Sequence, residues 1–432
     1  MPTVAYLAIQ FPSPVEPYVT EEIEELRRRG VQVIPGSVRK ISSQDDDHHK
    51  REVETVVLHP LRVIVGMRAL WLCLRHWDRI ADLLRRILLR GRETPWQRIK
   101  ALAHTWLGAC YALLLEDRGV EHIHAHHGYF GSWISMAAAR FLGVSFSMTL
   151  HGSDLLLHGT YLDLKLANCR FCLTVSEYNR RYILQRYPAV QDKKVVVSRL
   201  GVSIYGPAAS RVAAPAGPSL VFTLLAVGRL HAVKDHAFLV RACAQLRAYG
   251  ATFECLIAGE GPERSHLESL IRKYRLGAHV SLLGHVPNER MDSLYARAGV
   301  VVLTSRSEGI PLVLMEAMAS GKLVLAPEIT GIPELVITGK TGFLYKPGSM
   351  ADFVARLLFL YSVVNIPEPS DRSSHILSAA KQLDWIRHGA RVQVRHNFNR
   401  TKNLQSFGDL FLQQTTPQSR RFGDEDLVLQ QI

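Results

Sequence analysis

The stretch VVVLTSRSEGIPLVLMEAMA, residues 300–319, carries the most information about the fold. Four apolar residues that are typical of a buried strand lead through a short polar loop into an apolar helical segment, 312–319. Pro311 suits a first helical position, and the N–H groups of Leu312 and Val313 would then be free to hold an anion such as a diphosphate. Glu308 precedes this anion site, and Glu316 lies about two turns into the helix. The alternative is an ordinary buried strand–helix unit with solvated acids.

Composition limits the classes of protein to consider. At 432 residues with 47% hydrophobic content, the chain can support two cores. The formal charge of +13 favours an anionic partner, and on charge alone membrane, nucleic acid and phosphorylated substrate all remain open. Six cysteines in apolar stretches suit a reduced, cytosolic protein, and Cys169-x-x-Cys172 lacks the second pair that a zinc site needs. We predict no metal site, no export signal and no membrane-spanning segment.

Apolar runs alternate with amphipathic segments along the chain. The predicted strands are 4–9, 32–34, 122–124, 145–150, 172–175 and 195–200 in the first half, and 220–227, 253–258, 280–283, 300–303 and 323–326 in the second. Strand–helix alternation predicts α/β architecture with parallel sheets, here two doubly wound domains facing across a cleft. We expect an N-terminal domain at 1–205, a linker at 206–219, a second domain at 220–365, C-terminal helices at 366–414 that can return to the first domain, and a mobile tail at 415–432.

Two further groups of residues have candidate chemistry. Gly228-Arg229 and Lys234 follow a predicted strand and can direct two cations at one anion, although a solvated loop is the plain alternative. His151-Gly152-Ser153-Asp154 also follows a strand, but a single histidine is more often structural. Alternate histidines at 122, 124 and 126 share one face of a strand, where ligand-facing or core roles are more typical than metal binding.

Together these motifs resemble the retaining, nucleotide-sugar-dependent glycosyltransferases of the GT-B fold, group 4. The resemblance covers about positions 3 to 350. Glu308 and Glu316 match the family's Glu-x7-Glu signature, Gly228-Arg229 with Lys234 its donor-phosphate motif, and 151–154 its N-terminal histidine motif. Segments 11–19, 175–179 and 331–336 are similar to those of the branch that builds exopolysaccharide and lipopolysaccharide.

The resemblance implies a role for each matching residue. Arg229 and Lys234 would hold the donor diphosphate, Glu316 the ribose, and Glu308 the transferred sugar. His151 would lie on the opposite wall near the reacting carbon, and His151, Glu308, Arg229 and Lys234 would form the catalytic set. The implied donor-binding residues are Gly228, Arg229, Lys234, Val286, Glu308, Gly309, Ile310, Leu312, Val313 and Glu316. The implied acceptor-side residues are Glu16, His126 and Asp154. No cofactor and no divalent metal are expected.

Residues 61–106 are strongly basic. They contain ten Arg or Lys, three acids (Asp78, Asp82 and Glu93) and four of the six tryptophans. Arginine with tryptophan and leucine at helical spacing is typical of a helix lying on anionic lipid, and we hypothesise peripheral attachment to the cytoplasmic face of the membrane. The alternative is a helix whose apolar side packs on the first domain. No motif supports nucleic-acid binding.

The sequence therefore predicts a retaining hexosyltransferase that uses a UDP- or GDP-linked sugar and a glycan or lipid-linked acceptor in cell-surface polysaccharide biosynthesis. The alternative from another class is a non-catalytic, GT-B-like sugar- or nucleotide-binding protein. A phosphorylase with a pyridoxal cofactor is a third possibility, although no lysine context suggests one. Nothing in the sequence identifies the donor base, the sugar, the acceptor, the linkage or the oligomeric state.

Overall fold

The computed structural model of the chain describes residues 2–13, 16–39, 54–90, 93–204, 221–364 and 374–415, without the side chains of 374–377. These residues contain two sheets. The first sheet consists of β1 (Thr3–Gln10), β2 (Gln32–Arg39), β3 (Val56–His59), β4 (His122–His126), β5 (Ser145–Leu150), β6 (Phe171–Thr174) and β7 (Val195–Val197). The second consists of β8 (Phe222–Val227), β9 (Phe253–Ala258), β10 (Val280–Gly284), β11 (Val300–Val302), β12 (Leu323–Pro327) and β13 (Phe343–Tyr345).

Both sheets follow the doubly wound strand order. The first runs β3-β2-β1-β4-β5-β6-β7 and the second β10-β9-β8-β11-β12-β13. Neighbouring strands run parallel, for example β8 beside β9 and β11. In each sheet the order reverses beside the first strand, between β1 and β4 and between β8 and β11. Ligands of open α/β sheets bind outside the carboxyl ends of the strands at such a reversal. The predicted fold class of two doubly wound domains is confirmed.

Helices connect the strands. In chain order they are α1 (Pro17–Arg28), α2 (Val63–Arg75), α3 (Ala81–Leu88), α4 (Pro95–Leu115), α5 (Phe130–Leu142), α6 (Ser153–Leu156), α7 (Leu162–Asn168), α8 (Glu177–Arg186), α9 (His236–Ala248), α10 (Arg264–Lys273), α11 (Asn288–Arg297), α12 (Leu312–Ala319), α13 (Ile332–Leu335), α14 (Met350–Val364), α15 (Ser374–Asn397) and α16 (Arg400–Thr415). Among the described residues, no helix combines the length and the apolarity that crossing a bilayer requires.

Local backbone hydrogen bonding explains where α4 begins and how far β2 extends. Thr94 caps α4 by accepting from the N–H of Gln97, while the Gln97 side chain accepts from the N–H of Thr94. Strand β2 is longer than the predicted 32–34 because it continues through Pro35. Pairing with β3 starts only at Gly36, so the missing N–H of Pro35 interrupts no bond on that side.

Contacts between residues group the described chain into two compact units. Unit 1 contains the described residues up to 149, 160–172 and those from 405 on; unit 2 contains 150–159 and 173–404. This grouping departs from the predicted boundary at 205, because 150–159 and 173–204 pack with the second half of the chain. The predicted C-terminal helices are divided, since Leu383 and Ile386 of α15 lie in the core of unit 2 whereas Phe411 of α16 belongs to unit 1. The linker 206–219 and all but the first residue of the tail lie outside the described residues.

Candidate functional site

The candidate site lies at the carboxyl ends of β8 and β11, where the second sheet reverses its strand order. After β8 the chain runs through Gly228 and Arg229 into a short 3-10 turn that ends at Lys234. After β11 it runs through the loop 303–311 into α12. Two separate sequence motifs therefore meet at one edge of the sheet, at the position where this fold holds ligands.

Lys234 and Glu308 meet directly. The Lys234 Nζ donates to Glu308 Oε1 at 2.5 Å, and their side chains are only 20% and 12% exposed. Two further hydrogen bonds hold the loops together: Thr304 Oγ1 donates to the Lys234 carbonyl at 3.0 Å, and the Arg306 N–H donates to the Val233 carbonyl at 2.8 Å. The loops thus fix the ammonium and the carboxylate relative to each other before any ligand binds.

Glu316 has a different environment from Glu308. It lies in the second turn of α12, and Tyr295 of α11 donates its hydroxyl to Glu316 Oε2 at 2.6 Å. Burial raises the pKa of Glu316, and the Tyr295 hydrogen bond opposes that rise. Tyr295 was not predicted as a site residue because only the tertiary fold brings α11 beside α12.

The start of α12 is prepared to accept an anion. Pro311 is the residue before the helix rather than its first residue, because its backbone is extended (φ −76°, ψ 123°). The carbonyl of Pro311 accepts from the N–H of Leu314. Within the described part of the chain, no acceptor is bound by the N–H groups of Gly309, Ile310, Leu312 and Val313. Such N–H groups and the positive end of the helix dipole favour an anionic ligand.

Three glycines let the histidine loop approach Glu308. A Cβ on Gly309 would lie 2.5 Å from the His151 carbonyl oxygen, and one on Gly152 would lie 2.7 Å from the Gly309 nitrogen. A Cβ on Gly331 would lie 2.7 Å from the Gly309 carbonyl oxygen. These distances are too short for any side chain, so the backbones touch. The backbones of the His151 loop and the Glu308 loop are therefore in contact, while the catalytic role of His151 stays a prediction.

Asp154 stabilises the backbone of this loop. It is 1% exposed, and its carboxylate accepts from the N–H groups of His151, Gly152 and Leu155 at 2.8–3.3 Å. Asn179 of α8 holds the same loop from another side, donating to the His151 carbonyl at 2.6 Å. The three backbone donors give the Asp154 carboxylate a structural role in this loop, and its acceptor-side role stays a prediction.

The remaining predicted donor residues line the same edge of the sheet. Gly228 packs against Gly259, where a Cβ would lie 1.9 Å from the Gly228 carbonyl oxygen, so only glycine fits at 259. Arg229 is exposed and, within the described residues, its side chain makes no hydrogen bond or ion pair. Val286 is half-buried in the loop after β10, the edge strand of this sheet.

The predicted acceptor-side residues of unit 1 belong to a buried network. His126 is fully buried, and its Nδ1 lies 3.1 Å from the Tyr6 hydroxyl and 3.4 Å from Glu22 Oε2. Glu16 is bound by His127 Nε2 at 2.9 Å. Burial raises the pKa of Glu22 to about 8. The His126 ring lies beside Tyr6, Tyr18 and Glu22, and its acceptor-side role stays a prediction. No pattern in the neighbouring sequence marked Tyr6 or Glu22 as members of such a network.

The other two histidines of β4 are core residues. His122 hydrogen-bonds with Ser145 and Ser147, and His124 with Ser147 and Thr149, at 2.6–3.0 Å. Burial lowers the pKa of His122 to about 3, so that ring is neutral at physiological pH. Of the roles weighed for this face, the core role is the one the structure shows.

Glu334 is a further residue whose role the sequence did not reveal. Its carboxylate accepts from the N–H groups of Glu177 at 3.1 Å and Tyr178 at 2.7 Å, at the start of α8. Segments 175–179 and 331–336 are therefore in contact through these two hydrogen bonds. The sequence alone gave no physical reason for their similarity to the family's segments. A carboxylate at a helix N-terminus is stabilising, so Glu334 helps to hold α8 and Asn179 in place.

Comparison with known proteins agrees with this geometry. Residues 218–365 match the family model for glycosyl transferases group 1. The chain is 36% identical over 171 residues to the putative colanic acid biosynthesis glycosyltransferase WcaL of Salmonella typhimurium, covering 38% of this chain and 41% of the relative. It is 33% identical over 213 residues to WcaL of Escherichia coli, covering 48% of each. The chain therefore spans less than half the length of these curated relatives.

Solved structures show the same fold over nearly the whole chain. Sucrose-phosphate synthase from Thermosynechococcus elongatus superposes with a TM-score of 0.68 at 18% identity, covering 96% of this chain and 99% of that one. Anabaena HepE, solved in complex with UDP, superposes with a TM-score of 0.65 at 17% identity, covering 95% and 100%. At these identities the likeness establishes the fold alone, which is that of the GT-B glycosyltransferases.

Proposed function

We propose that this chain, whose residues 218–365 belong to the glycosyl transferases group 1 family, transfers a sugar from a nucleotide-sugar donor with retention at the anomeric carbon. The proposed donor is a UDP- or GDP-linked sugar, and the proposed acceptor is a glycan or lipid-linked sugar in cell-surface polysaccharide biosynthesis. One observation carries this proposal: Lys234 and Glu308 are paired at the strand-order reversal, beside the free N–H groups that precede and begin α12.

The donor diphosphate would bind where these groups converge. Cleavage of the bond between sugar and phosphate places additional negative charge on the departing nucleoside diphosphate. The Lys234 ammonium, the Arg229 guanidinium and the N–H groups from Gly309 to Val313, Pro311 excepted, would stabilise that charge. Because Lys234 is already held by Glu308, little reorganisation is needed as the charge develops.

The two glutamates would hold the two ends of the donor. Glu308, beside Lys234 and the His151 loop, would accept hydrogen bonds from the hydroxyls of the transferred sugar. Glu316, one end of a buried hydrogen bond with Tyr295, would accept from the ribose hydroxyls. Val286, at the carboxyl end of the edge strand β10, would lie near the nucleobase. Holding both ends keeps the reacting carbon in a defined position.

The relatives support the proposed biological class. Two are named for colanic acid biosynthesis, and HepE was solved with UDP and, in a second structure, with UDP and glucose. By analogy with these proteins, we propose a uridine-linked donor and an exopolysaccharide acceptor for this chain.

The test combines binding and turnover. A thermal-shift screen of UDP-, GDP- and ADP-sugars identifies the donor, because a ligand at about 100 times its dissociation constant stabilises the folded state by about 2.7 kcal/mol. The selected donor is then used to measure transfer by the wild type, Lys234→Ala, Glu308→Ala and the control Lys273→Ala, an exposed lysine at the end of α10. The anomeric configuration of the product is read by NMR.

We expect Lys234→Ala and Glu308→Ala each to reduce kcat by about 100-fold or more, an electrostatic contribution of the usual size. The fold should be retained with a lower melting temperature, because each variant leaves the other charge of a mostly buried pair without its partner. Lys273→Ala should behave as the wild type. Full turnover in both site variants would refute the assignment, and an inverted product would refute retention. Donor binding without turnover by the wild type would favour the non-catalytic binding protein instead.

A further inference from the structure

Helix α2 presents an apolar face to solvent. Six large apolar side chains recur at helical spacing along its outward side and are 57–76% exposed: Val63, Ile64, Met67, Leu70, Trp71 and Leu74. Among the residues of α2, only Ala69 is buried. Such a contiguous apolar surface on a folded unit marks an interaction site.

The opposite side of α2 attaches it to unit 1. The Trp106 indole of α4 donates to the Gly66 carbonyl at 3.1 Å, and a Cβ on Gly66 would lie 3.0 Å from the Trp106 ring. Ala69 packs on this same inner side. The helix is therefore oriented by contacts that leave its large apolar side chains outside the core. The alternative of an apolar side packed on the domain holds for α3, whose Leu83 and Ile87 are buried, but not for the large apolar side chains of α2.

The surroundings of this face are basic. Two of the three acids of 61–106 are neutralised within unit 1, since Asp82 pairs with Arg140, and Glu93 with Arg86 at 2.8 Å. By contrast, five exposed bases form no ion pair with any described residue: Arg62, Arg75, Arg85, Arg90 and Lys100. The Arg75 guanidinium lies over the Trp71 ring at 4.9 Å. Uncompensated positive charge thus lies at both ends of α2, at Arg62 and Arg75, and on other helices of the same unit.

We propose that the outward face of α2 docks this protein on an anionic lipid bilayer, with Met67, Leu70, Trp71 and Leu74 inserted at the level of the headgroups. Apolar side chains gain by leaving water, and flanking arginines contribute by contact with anionic headgroups. Arginine beside tryptophan fits this boundary, since each side chain has an apolar body and a polar end. The inference does not depend on the proposed catalytic function.

Other occupants of this face fit less well. Two copies of the chain meeting through α2 would bring the same uncompensated arginines together, and like charges repel. A nucleic acid would satisfy the charges but would leave six large apolar side chains without partners. An anionic bilayer offers an apolar layer for the side chains of α2 and negatively charged headgroups for the arginines.

The experiment uses the full chain and vesicle flotation. Phosphatidylcholine vesicles are compared with vesicles containing 30% phosphatidylglycerol, at about 0.1 M and about 1 M salt, where the screening length falls from about 10 Å to about 3 Å. The apolar variant is Met67→Gln, Leu70→Gln, Leu74→Gln. Its matched control makes the same kind of change at exposed apolar positions of unit 2: Tyr249→Gln, Trp385→Gln, Val392→Gln. A charge variant replaces Arg62, Arg75 and Arg85 with Gln.

We expect the wild type to float with the anionic vesicles and the matched control to do the same. The apolar variant should lose more than about tenfold in partitioning without a change in melting temperature, because its side chains are already exposed in the folded state. The charge variant should lose about fivefold per arginine at low salt and much less at high salt.

Three results would overturn the proposal. The wild type could remain with the soluble fraction at low salt. The apolar variant could float as well as the wild type, which would assign any binding to another surface, such as the exposed Leu88, Leu89, Trp96 and Ile99. Sedimentation could show a dimer that the apolar variant abolishes while vesicles bind neither protein, which would assign the face to a second copy of the chain.

Discussion

At the scale of single residues, the two glutamates of one motif have separate chemistry. Glu308 forms an ion pair with Lys234, whereas Glu316 accepts a hydrogen bond from the uncharged hydroxyl of Tyr295. Burial raises the pKa of Glu316. The difference arises because Glu308 lies in a loop beside a cation, and Glu316 faces the neighbouring helix α11. An acceptor of ribose hydroxyls needs position more than charge, and Tyr295 supplies the position.

Replacing Tyr295 with Phe should therefore affect donor binding more than chemistry. We expect KM for the donor to rise about fivefold while kcat stays within about twofold, because a lost hydrogen bond is worth about 1 kcal/mol. The comparison is with Tyr249→Phe, an exposed tyrosine of the same unit. Steady-state kinetics with the identified donor measures both values. A fall in kcat at unchanged KM would contradict the assigned role of Glu316.

Glu22 gives unit 1 a pH-dependent stability. Burial raises its pKa to about 8 from the ordinary value of 4.5, so the folded protein holds a proton that the unfolded chain releases. The contribution of protonated Glu22 to the free energy of unfolding is then fully present below about pH 4 and is lost as the pH rises towards 8. The slope is at most about 1.4 kcal/mol per pH unit in this window.

Substituting Gln for Glu22 should remove most of this dependence. The amide is neutral at every pH, so we expect the variant to gain stability relative to the wild type as the pH rises from 5 to 8. Urea denaturation at pH 5, 6.5 and 8 measures the difference. Glu24→Gln on the solvent side of α1 is the control. Parallel pH profiles for Glu22→Gln and the wild type would show that Glu22 ionises normally.

At the scale of elements, glycine decides how closely the loops approach. Gly152, Gly309 and Gly331 lie in three different loops, and each meets backbone or Cβ atoms of another at distances that exclude a side chain. Glu334 adds a carboxylate at the start of α8, which positions Asn179 and through it the His151 carbonyl. The histidine loop is thus placed by contacts between elements.

Gly309→Ala tests this arrangement. Its new methyl would lie 2.5 Å from the His151 carbonyl oxygen, so the two loops must separate. We expect a loss of about 1–3 kcal/mol in stability, the usual range for overpacking, together with a fall in transfer activity. Gly277→Ala is the control, since nothing lies within 4 Å of its added carbon. Thermal unfolding of both variants checks the prediction, and equal melting temperatures would contradict the close approach.

At the scale of the whole molecule, positive charge is concentrated at two separate places. Arg229, Lys234 and the start of α12 concentrate it in unit 2, and the α2 region concentrates it in unit 1. A formal charge of +13 by itself distinguishes neither place. Their places in the fold do, since Lys234 pairs with Glu308 at the strand-order reversal of the second sheet, whereas Arg62 and Arg75 lie at the two ends of the exposed apolar face of α2.

Metal-independent transfer stays a prediction that belongs to the proposed donor site. Lys234, Arg229 and the helix N-terminus would supply the positive charge that a metal ion provides at other diphosphate sites. We expect turnover to remain within about twofold when the purified protein is treated with excess EDTA. Addition of Mg²⁺ or Mn²⁺ to the treated protein should also have little effect. A loss of activity with EDTA that Mg²⁺ or Mn²⁺ restores would disprove metal independence.

The sequence by itself determined the α/β class, the glycine-marked strand ends and the motif that holds Glu308 and Glu316. Those properties are local, because hydrophobic periodicity and backbone freedom act within a few residues. Only the tertiary structure decided which distant groups meet: Lys234 with Glu308, Tyr295 with Glu316, Tyr6 with Glu22, and the His151 loop with Gly309. It also decided that the apolar side of α2 faces outward and that His126 is enclosed. Pairing and burial depend on how elements separated in sequence pack together, and no local pattern contains that information.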